Sequence, residues 1–231
     1  MNKKVRFEDL GLINYKQCWD YQEQLFSKIL ATKSKNKKNG NKNATDNHLI
    51  FCEHPHVYTL GKSGDKKNLL VTEKYLTSRG AEFYKINRGG DITYHGPGQI
   101  VGYPILDLEN FFTDIEKYLR LLEQSVILTL KDYGLNGERS KGETGVWFDV
   151  GTPKARKICA FGVKSSRWVT MHGFAFNITS DLSFFKNIVP CGIPNKSVTS
   201  LERELSERPN FDLVKEQLKN HLIQLFEMEI Y

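Results

Sequence analysis

The most constraining feature of this chain is the run of residues 88–99, which reads RGGDITYHGPGQ. It holds four glycines, a proline, an arginine and a histidine, and it lies between two segments with strand-like patterns. Glycine permits positive φ angles and close approach of the backbone to a ligand, and proline fixes φ and removes a donor. A simple connection between strands needs only one or two turn residues. The run therefore predicts a pocket wall lined by backbone, with one guanidinium and one imidazole directed into the pocket.

The rest of the chain alternates between helix-like and strand-like patterns. Helical spacing of apolar residues covers residues 15–29, 113–133 and 212–226, and Thr72 is expected to cap a short helix that ends near Arg79. Strands are predicted over residues 48–53, 57–60, 81–87, 100–106, 146–150, 157–163 and 174–178. This order favours an α+β fold, with a mixed or antiparallel sheet and helices packed outside it. No linker divides the chain, so we predict a single domain over residues 1–231.

The positive charge is concentrated near the N-terminus. The net charge is +6, yet ten of the 33 basic residues and only four of the 27 acidic residues lie within residues 1–42, which leaves 23 of each in the remainder. Residues 33–47 are rich in Lys and Asn and hold no bulky apolar residue. Such a segment buries too little surface to offset the entropy of ordering, so it is predicted to be a flexible surface insertion. The alternative is a polybasic contact for an acidic partner.

Composition and cysteine usage indicate a cytoplasmic enzyme or binding protein. The sequence has no apolar run long enough for a membrane span, and its charged start is not followed by the apolar core of a secretory signal. The four cysteines form no CxxC pair, so no metal site is predicted from spacing, and in a reducing compartment they should be thiols. Cys18 and Cys52 lie in helical and strand patterns and are expected to be small core residues.

Cys191 differs from the other cysteines because it lies in a rigid loop. Residues 188–194 read IVPCGIP, with a proline on each side of the thiol and a glycine directly after it. The glycine leaves room for an acyl carbonyl, which makes Cys191 a candidate nucleophile. The alternative is a buried loop cysteine with no chemical role.

A cysteine nucleophile needs a group that lowers its pKa or accepts its proton. His95 and His172 are candidates of the usual type. Lys157 is a third candidate, because it opens the otherwise apolar strand 157–163 and a partly buried amine can act as a base. A solvated lysine at the end of a strand remains the alternative.

In combination these residues closely resemble the lipoyl(octanoyl) transferases, a family of octanoyltransferases in lipoate biosynthesis. The matching blocks follow the family order across roughly residues 48–200: HPHVYTLG at 54–61, the run 88–99, YP at 103–104, GVW at 145–147, KICAFG at 157–162, HG at 172–173, Asn177, DL at 181–182 and PCG at 190–192. Asp91 stands where the family often has Gln or Glu, and residues 33–47 and the last helix lie outside the matched pattern.

The resemblance implies a fold, a reaction and a set of site residues. The fold is that of the biotin and lipoate protein ligase catalytic domains. The reaction moves octanoyl from acyl carrier protein to a specific lysine of a lipoyl domain through an acyl-cysteine thioester, the first step of protein lipoylation. The nucleophile maps to Cys191 and its partner to Lys157. The acyl-binding positions map to Arg88, Gly89, Gly90, Asp91, Ile92, Thr93, Tyr94, His95, Ala160, Phe161, Gly162, Gly173, Phe174 and Ala175.

The implied partners are octanoyl-acyl carrier protein and the lipoyl domains of 2-oxoacid dehydrogenases and of the glycine cleavage H protein. No cofactor, metal, nucleic acid or membrane is expected to take part. The nearest rival is an ATP-dependent lipoate or octanoate protein ligase of the same fold, which activates the acid as an adenylate and needs no cysteine. A lipoyl-domain binding protein without catalysis is another alternative, but it would have no use for both Lys157 and Cys191. A nucleic-acid module is a more distant alternative.

Overall fold

The computed structural model describes residues 2–189 and 197–231. Five α-helices are present in this part of the chain: α1 (Tyr15–Asn39), α2 (Glu73–Ser78), α3 (Ile115–Asp132), α4 (Leu201–Leu205) and α5 (Phe211–Phe226). The strands are β1 (Lys4–Leu12), β2 (His48–Glu53), β3 (Val57–Leu60), β4 (Glu82–Lys85), β5 (Ile92–His95), β6 (Gln99–Ile105), β7 (Glu138–Ser140), β8 (Glu143–Phe148), β9 (Arg156–Ser166), β10 (Val169–Asn177), β11 (Ser197–Val198) and β12 (Glu229–Ile230).

Most strands belong to one large mixed sheet. Its order is β12-β1-β2-β6-β10-β9-β8-β7, and the short β11 pairs with β9. The pairs β1–β12, β1–β2 and β9–β11 are parallel, and the other pairs are antiparallel. A second sheet has the order β4-β3-β5. This mixed sheet with packed helices confirms the predicted α+β fold.

Helices cover the large sheet with apolar faces. The stripe on α3 predicted from the sequence is buried, and Tyr118, Leu122 and Val126 share a core with Leu218 and Leu222 of α5. Helix α1 packs through a separate apolar cluster that includes Cys18, Phe26 and Ile29. The side chains of Asn14 and Asp114 accept backbone N–H groups at the starts of α1 and α3, which satisfies donors that the first turn of a helix leaves without partners.

The segment expected to be a flexible insertion is in part helical. Helix α1 continues through Asn39 and ends at Gly40, which has the left-handed φ of 66°. Lysine is a good helix former and supplies four of residues 33–39, so this polar stretch can extend a helix that is already packed at its other end. Lys33 also pairs with the buried Asp107 at 2.5 Å and with Glu109 at 2.9 Å. The segment therefore contributes contacts to the fold, whereas the sequence pattern alone suggested none.

Part of the glycine-rich run forms a strand. Residues 92–95 are β5, which pairs antiparallel with β3 and places Tyr94 opposite Tyr58. Gly90 and Gly98 flank this strand with φ values of 82° and 83°, a region that glycine adopts without a Cβ penalty. The run thus combines an extended segment of β-formers with glycine turns on either side. It holds one wall of the site in a defined position.

No helix in residues 2–189 and 197–231 is both long and apolar enough to cross a membrane. The assignment of residues 1–231 to a single domain stays a prediction. A single cooperative unfolding transition, followed by two independent probes, would support it.

Candidate active site

A cavity of about 500 Å³ lies between residues 88–95 and the strands β9 and β10. Its volume is within the range of small-molecule sites in proteins. The shape of this cavity follows from the register of the two strands. Gly162 pairs with Gly173, and Ala160 pairs with Ala175. Because these pairs are two residues apart along each strand, all four residues face the same side of the sheet, and their small size leaves a trough there.

The glycine-rich run is attached to the edge of this trough. The N–H of Gly89 donates to the carbonyl of Val163 on β9 at 2.9 Å. A Cβ on Gly162 would lie 3.0 Å from both Arg88 Cδ and the Gly89 carbonyl oxygen, so glycine at position 162 permits this close approach. Small residues on β9 thus allow a second backbone segment to form the opposite wall of the cavity.

Arg88 is held rigidly within this wall. Its guanidinium donates to the carbonyl and to the hydroxyl of Thr59, at 2.7 and 2.9 Å, and to the carbonyl of Gly89 at 2.9 Å. The residue is buried and still lines the cavity. Its positive charge therefore has a fixed position beside the trough.

Thirteen of the fourteen predicted acyl-binding residues line the cavity. They are Arg88, Gly89, Gly90, Asp91, Ile92, Thr93, His95, Ala160, Phe161, Gly162, Gly173, Phe174 and Ala175. Tyr94 is not among the lining residues. Because side chains alternate along a strand, Tyr94 of β5 points away from the cavity. Its hydroxyl lies 2.7 Å from His56 Nδ1, and its ring stacks on Phe184. The Asp91 carboxylate accepts the backbone N–H of Ile92 at 2.6 Å and the side-chain amide of Asn68 at 2.5 Å, so it links the run to the segment before α2.

Lys157 lies at one end of the same cavity. It is only 8% exposed, so its amine is largely removed from water. The ammonium donates to the carbonyl of Thr144 at 3.2 Å and lies 4.5 Å from the centre of the Trp147 ring. Trp147 is the residue of β8 that pairs with Lys157 in the sheet. Of the two environments that the sequence allowed for Lys157, partly buried or solvated, the structure shows the buried one.

A buried carboxylate organises the backbone next to this lysine. Glu123 of α3 is fully buried, and its Oε1 accepts the N–H of Gly145 at 3.0 Å. Its Oε2 accepts from Arg120 and Arg139 at 2.7 and 3.0 Å. Gly145 has a φ of 147°, and a Cβ there would lie 2.9 Å from Lys157 Cε. Glu123 and Gly145 together therefore define the space that the lysine side chain occupies.

Two buried histidines also line the cavity. Burial lowers the pKa of His172 to about 3, with a further contribution from the positive charge of Arg88, and it lowers the pKa of His95 well below its ordinary value. His172 has a φ of 61° and bonds Asn87 Oδ1 through Nε2 at 3.1 Å, while His95 Nδ1 bonds Gln99 at 3.2 Å. Both rings are neutral at pH 7, and each is oriented by an amide side chain.

The predicted nucleophile, Cys191, lies outside the described residues. The nearest described residues on either side of that gap contact other elements. The N–H of Val189 donates to the carbonyl of Asn68 at 2.8 Å, and Val198 pairs with Lys157 through the β9–β11 ladder. The lysine thus lies beside the strand that follows the predicted cysteine loop in the sequence.

Several residues at or near the site were not predicted as site residues. Tyr15, Val101, Tyr103 and Leu119 line the cavity, and Glu123 positions its edge. Glu123 carried a sequence signal, because it lies four residues after Leu119 and three before Val126 on the apolar stripe of α3. An acidic residue on such a stripe indicates a buried ionic contact. The others have no sequence feature that separates them from ordinary core residues.

Comparison with known proteins identifies the fold and the family. The chain matches the lipoyl protein ligase A/B catalytic domain over residues 14–223. A crystal structure of lipoate-protein ligase A bound with ATP superposes with a TM-score of 0.74 at 14% identity, over 100% of this chain and 88% of that one. An octanoyltransferase from Flavobacterium johnsoniae is 65% identical over 100% of both chains. One from Christiangramia forsetii is 63% identical over 100% of this chain and 99% of that protein.

The fold and the cavity therefore define a catalytic domain of the lipoate-ligase class. The full-length identity is far more specific than the likeness of fold. The chain belongs to the lipoyl protein ligase A/B catalytic-domain family and, within it, to the octanoyltransferases.

Proposed function

We propose that this protein transfers an octanoyl group from octanoyl-acyl carrier protein to a specific lysine of a lipoyl domain, with Cys191 as the nucleophile and Lys157 as its partner. The observation that carries the proposal is the buried amine of Lys157 at the end of an acyl-sized cavity, in a chain that shares 63–65% identity with octanoyltransferases over its whole length.

In the first step the amine of Lys157 accepts the proton of the Cys191 thiol. The thiolate attacks the carbonyl of the octanoyl thioester, and the bond between that carbonyl and the carrier sulfur breaks. The carrier leaves as a thiol after it takes up a proton, which the Lys157 ammonium can return. One thioester replaces another, so the step needs no external energy source.

In the second step the amine of the acceptor lysine attacks the octanoyl-Cys191 thioester. The carbon–sulfur bond breaks and an amide bond forms, which makes the overall transfer favourable. Lys157 accepts the proton lost by the attacking amine and passes it to the released thiolate of Cys191. The same base therefore serves both steps, as the position of Lys157 at the edge of the cavity allows.

The cavity supplies binding and orientation for the acyl chain. Apolar residues from several elements line it, among them Val101, Ala160 and Ala175. Burial of each methylene contributes about 0.8 kcal/mol, so an octanoyl chain gains several kcal/mol here. The short stretch of chain between Cys191 and β11 supports the assignment of the nucleophile. Val198 of β11 pairs with Lys157 and follows Cys191 by seven residues, which span at most about 25 Å.

Intact mass spectrometry after incubation with octanoyl-acyl carrier protein tests the proposal. We expect one octanoyl group per chain, located on Cys191 by peptide mapping and lost on addition of a lipoyl domain. Cys191→Ala should give no adduct. Cys159→Ala is the matched control, because burial raises the pKa of the Cys159 thiol and keeps it protonated, so its removal should leave the adduct in place.

The rival ATP-dependent ligase predicts a different result. It would modify the lipoyl domain from free octanoate and ATP, and Cys191→Ala would retain that activity. The likeness of fold to an ATP-bound lipoate-protein ligase makes this arm of the test necessary. Modification that depends on ATP and not on Cys191 would overturn the proposal.

A further inference from the structure

Two cysteines that are distant in the sequence meet a histidine in the protein interior. Cys18 of α1, Cys52 of β2 and the adjacent His54 are all buried. One potential ligand atom from each residue lies within 4.8 Å of the other two. Neither the acyl cavity nor the proposed transfer chemistry makes use of these groups.

The distances between these sulfur and nitrogen atoms fit the geometry of a tetrahedral metal ion. With zinc–sulfur and zinc–nitrogen bonds of about 2.3 and 2.0 Å, a sulfur and a nitrogen on the same tetrahedral zinc lie about 3.5 Å apart. Cys52 Sγ and His54 Nε2 are 3.5 Å apart. The upper limit of 4.8 Å for the cluster means that a side-chain movement of about an ångström would bring Cys18 to a similar distance.

Hydrogen bonds around the cluster orient its atoms as ligands. His54 Nδ1 lies 2.8 Å from the carbonyl of Ile13, which can only accept, so Nδ1 carries the proton and Nε2 keeps its lone pair, with the Tyr103 hydroxyl 2.8 Å and Cys52 Sγ 3.5 Å away. A backbone carbonyl in this role is the usual support for a metal-binding histidine. The amide of Gln22 approaches Cys18 Sγ at 3.8 Å, where it can donate weakly to a thiolate.

Charge and ligand type favour zinc among the common ions. A divalent ion with two thiolates and one neutral imidazole forms a complex with no net charge, which limits the cost of burial. Sulfur and imidazole nitrogen are the ligands that zinc prefers, whereas calcium and magnesium need oxygen. The hydroxyl of Tyr103 lies 2.8 Å from the same Nε2, and it is placed to provide or hold a fourth, oxygen ligand once the metal takes the nitrogen lone pair.

We propose that Cys18, Cys52 and His54 form a zinc-binding site that ties α1 to the end of β2. Binding displaces the two thiol protons, and the ion makes two bonds to sulfur and one to Nε2. Tyr103 also lines the acyl cavity, so the site supports one wall of that cavity from behind.

The test uses the full-length protein with Cys191→Ala, so that the loop thiol cannot act as a ligand. After purification under reducing conditions we expect about one zinc per chain.

Replacement by Co²⁺ should give thiolate-to-metal charge-transfer absorption in the near ultraviolet and the strong visible bands of a tetrahedral site. Adding Cys18→Ala or Cys52→Ala should reduce the charge-transfer band by about half and weaken metal binding at least tenfold, and the two substitutions together should remove the band. Adding Cys159→Ala, a matched buried cysteine, should leave both unchanged.

X-ray absorption of the zinc-loaded protein provides a measurement that does not depend on the folding of variants. It should report two sulfur ligands and at least one imidazole nitrogen. A shell without sulfur would overturn the proposal, as would far less than one zinc per chain after loading, or a charge-transfer band that keeps its full intensity in Cys18→Ala. A Cys18–Cys52 disulfide in the reduced preparation would likewise exclude the site.

Discussion

The ammonium of Lys157 lies 4.5 Å from the centre of the Trp147 ring, and these two residues are direct partners in the β8–β9 ladder. The face of an indole ring attracts a cation, so Trp147 stabilises the charged form of the lysine. The ring therefore favours the thiolate–ammonium pair of the proposed mechanism.

Replacement of Trp147 should change the reactivity of Cys191. In Trp147→Leu the cation–π contribution of about 0.5–2 kcal/mol is lost. We expect the pH midpoint for alkylation of the thiol to rise by about 0.4–1.5 units, because the ammonium that accompanies the thiolate is less stable. Trp147→Phe should give a smaller rise, since it keeps an aromatic face. An unaltered midpoint in Trp147→Leu would show that the ring does not tune this pair.

Removal of the Lys157 amine should have a larger effect. Lys157→Met keeps much of the length of the side chain and removes the base. The alkylation midpoint should move toward the ordinary cysteine value of about 8.5, and octanoylation of the enzyme should slow by a factor of about 10² or more. Rapid-quench mass spectrometry measures the rate.

Lys164→Met is the matched control for this change. Lys164 is a second lysine of β9, which pairs with Glu23 at 3.3 Å and does not line the cavity. The control should keep both the midpoint and the rate. If Lys157→Met behaved like the control, the base would have to be sought among the neighbouring histidines.

The buried carboxylate of Glu123 should stabilise both the fold and the site. Glu123→Leu removes the acceptor for the Gly145 N–H and leaves two arginines without this partner, so we expect a loss of about 2–4 kcal/mol in the free energy of unfolding, measured by urea denaturation. Glu116→Leu, on the exposed side of the same helix, should change it by less than about 0.5 kcal/mol. Equal effects of the two substitutions would contradict a special role for Glu123.

Stability should fall in mild acid because of buried neutral histidines. The pKa of His172 is about 3 in the folded protein and 6.5 in the unfolded chain, so the unfolded state binds more protons between these values. The contribution of His172 is complete above pH 6.5 and is lost as the pH falls toward 3. Between pH 7 and pH 5 it amounts to about 2 kcal/mol.

His172→Asn isolates this effect. Asparagine tolerates the left-handed backbone conformation at this position and does not titrate. The variant is expected to be less stable at pH 7, but the gap to the parent protein should narrow by about 2 kcal/mol at pH 5. Chemical denaturation at several pH values measures the gap. A gap that stayed constant with pH would mean that His172 does not gain a proton on unfolding in this range.

A larger residue in the trough should shorten the preferred acyl chain. Ala160→Leu adds three carbons at the floor of the cavity between β9 and β10. Each methylene displaced from the cavity forfeits about 0.8 kcal/mol, so transfer of octanoyl should fall by about tenfold or more relative to butanoyl. Competition between the two acyl-carrier proteins gives the ratio directly. A ratio that did not move would show that the acyl chain lies elsewhere.

The local patterns of the sequence predicted most of the regular elements. The amphipathic stripe of α3, the cap at Thr72 and the apolar strands are short-range features, and each was found close to its expected place. Helix α1 is longer than the predicted helix. Its last two turns are polar, so the spacing of apolar residues did not indicate them, and contacts such as Lys33–Asp107 stabilise them. Strand β1 had no clear pattern, since its burial depends on parallel partners on both sides.

What the sequence by itself determined was the chemical inventory: a glycine-rich wall, a lysine in an apolar strand and a cysteine between prolines. Only the tertiary structure decided four further features. These are the register of β9 against β10, the orientation of Tyr94 away from the cavity, the hydrogen bond between Glu123 and Gly145, and the proximity of Cys18 to Cys52. Composition and spacing act over a few residues, whereas a site depends on side chains whose distances are fixed by strand pairing and helix packing between segments far apart in the chain.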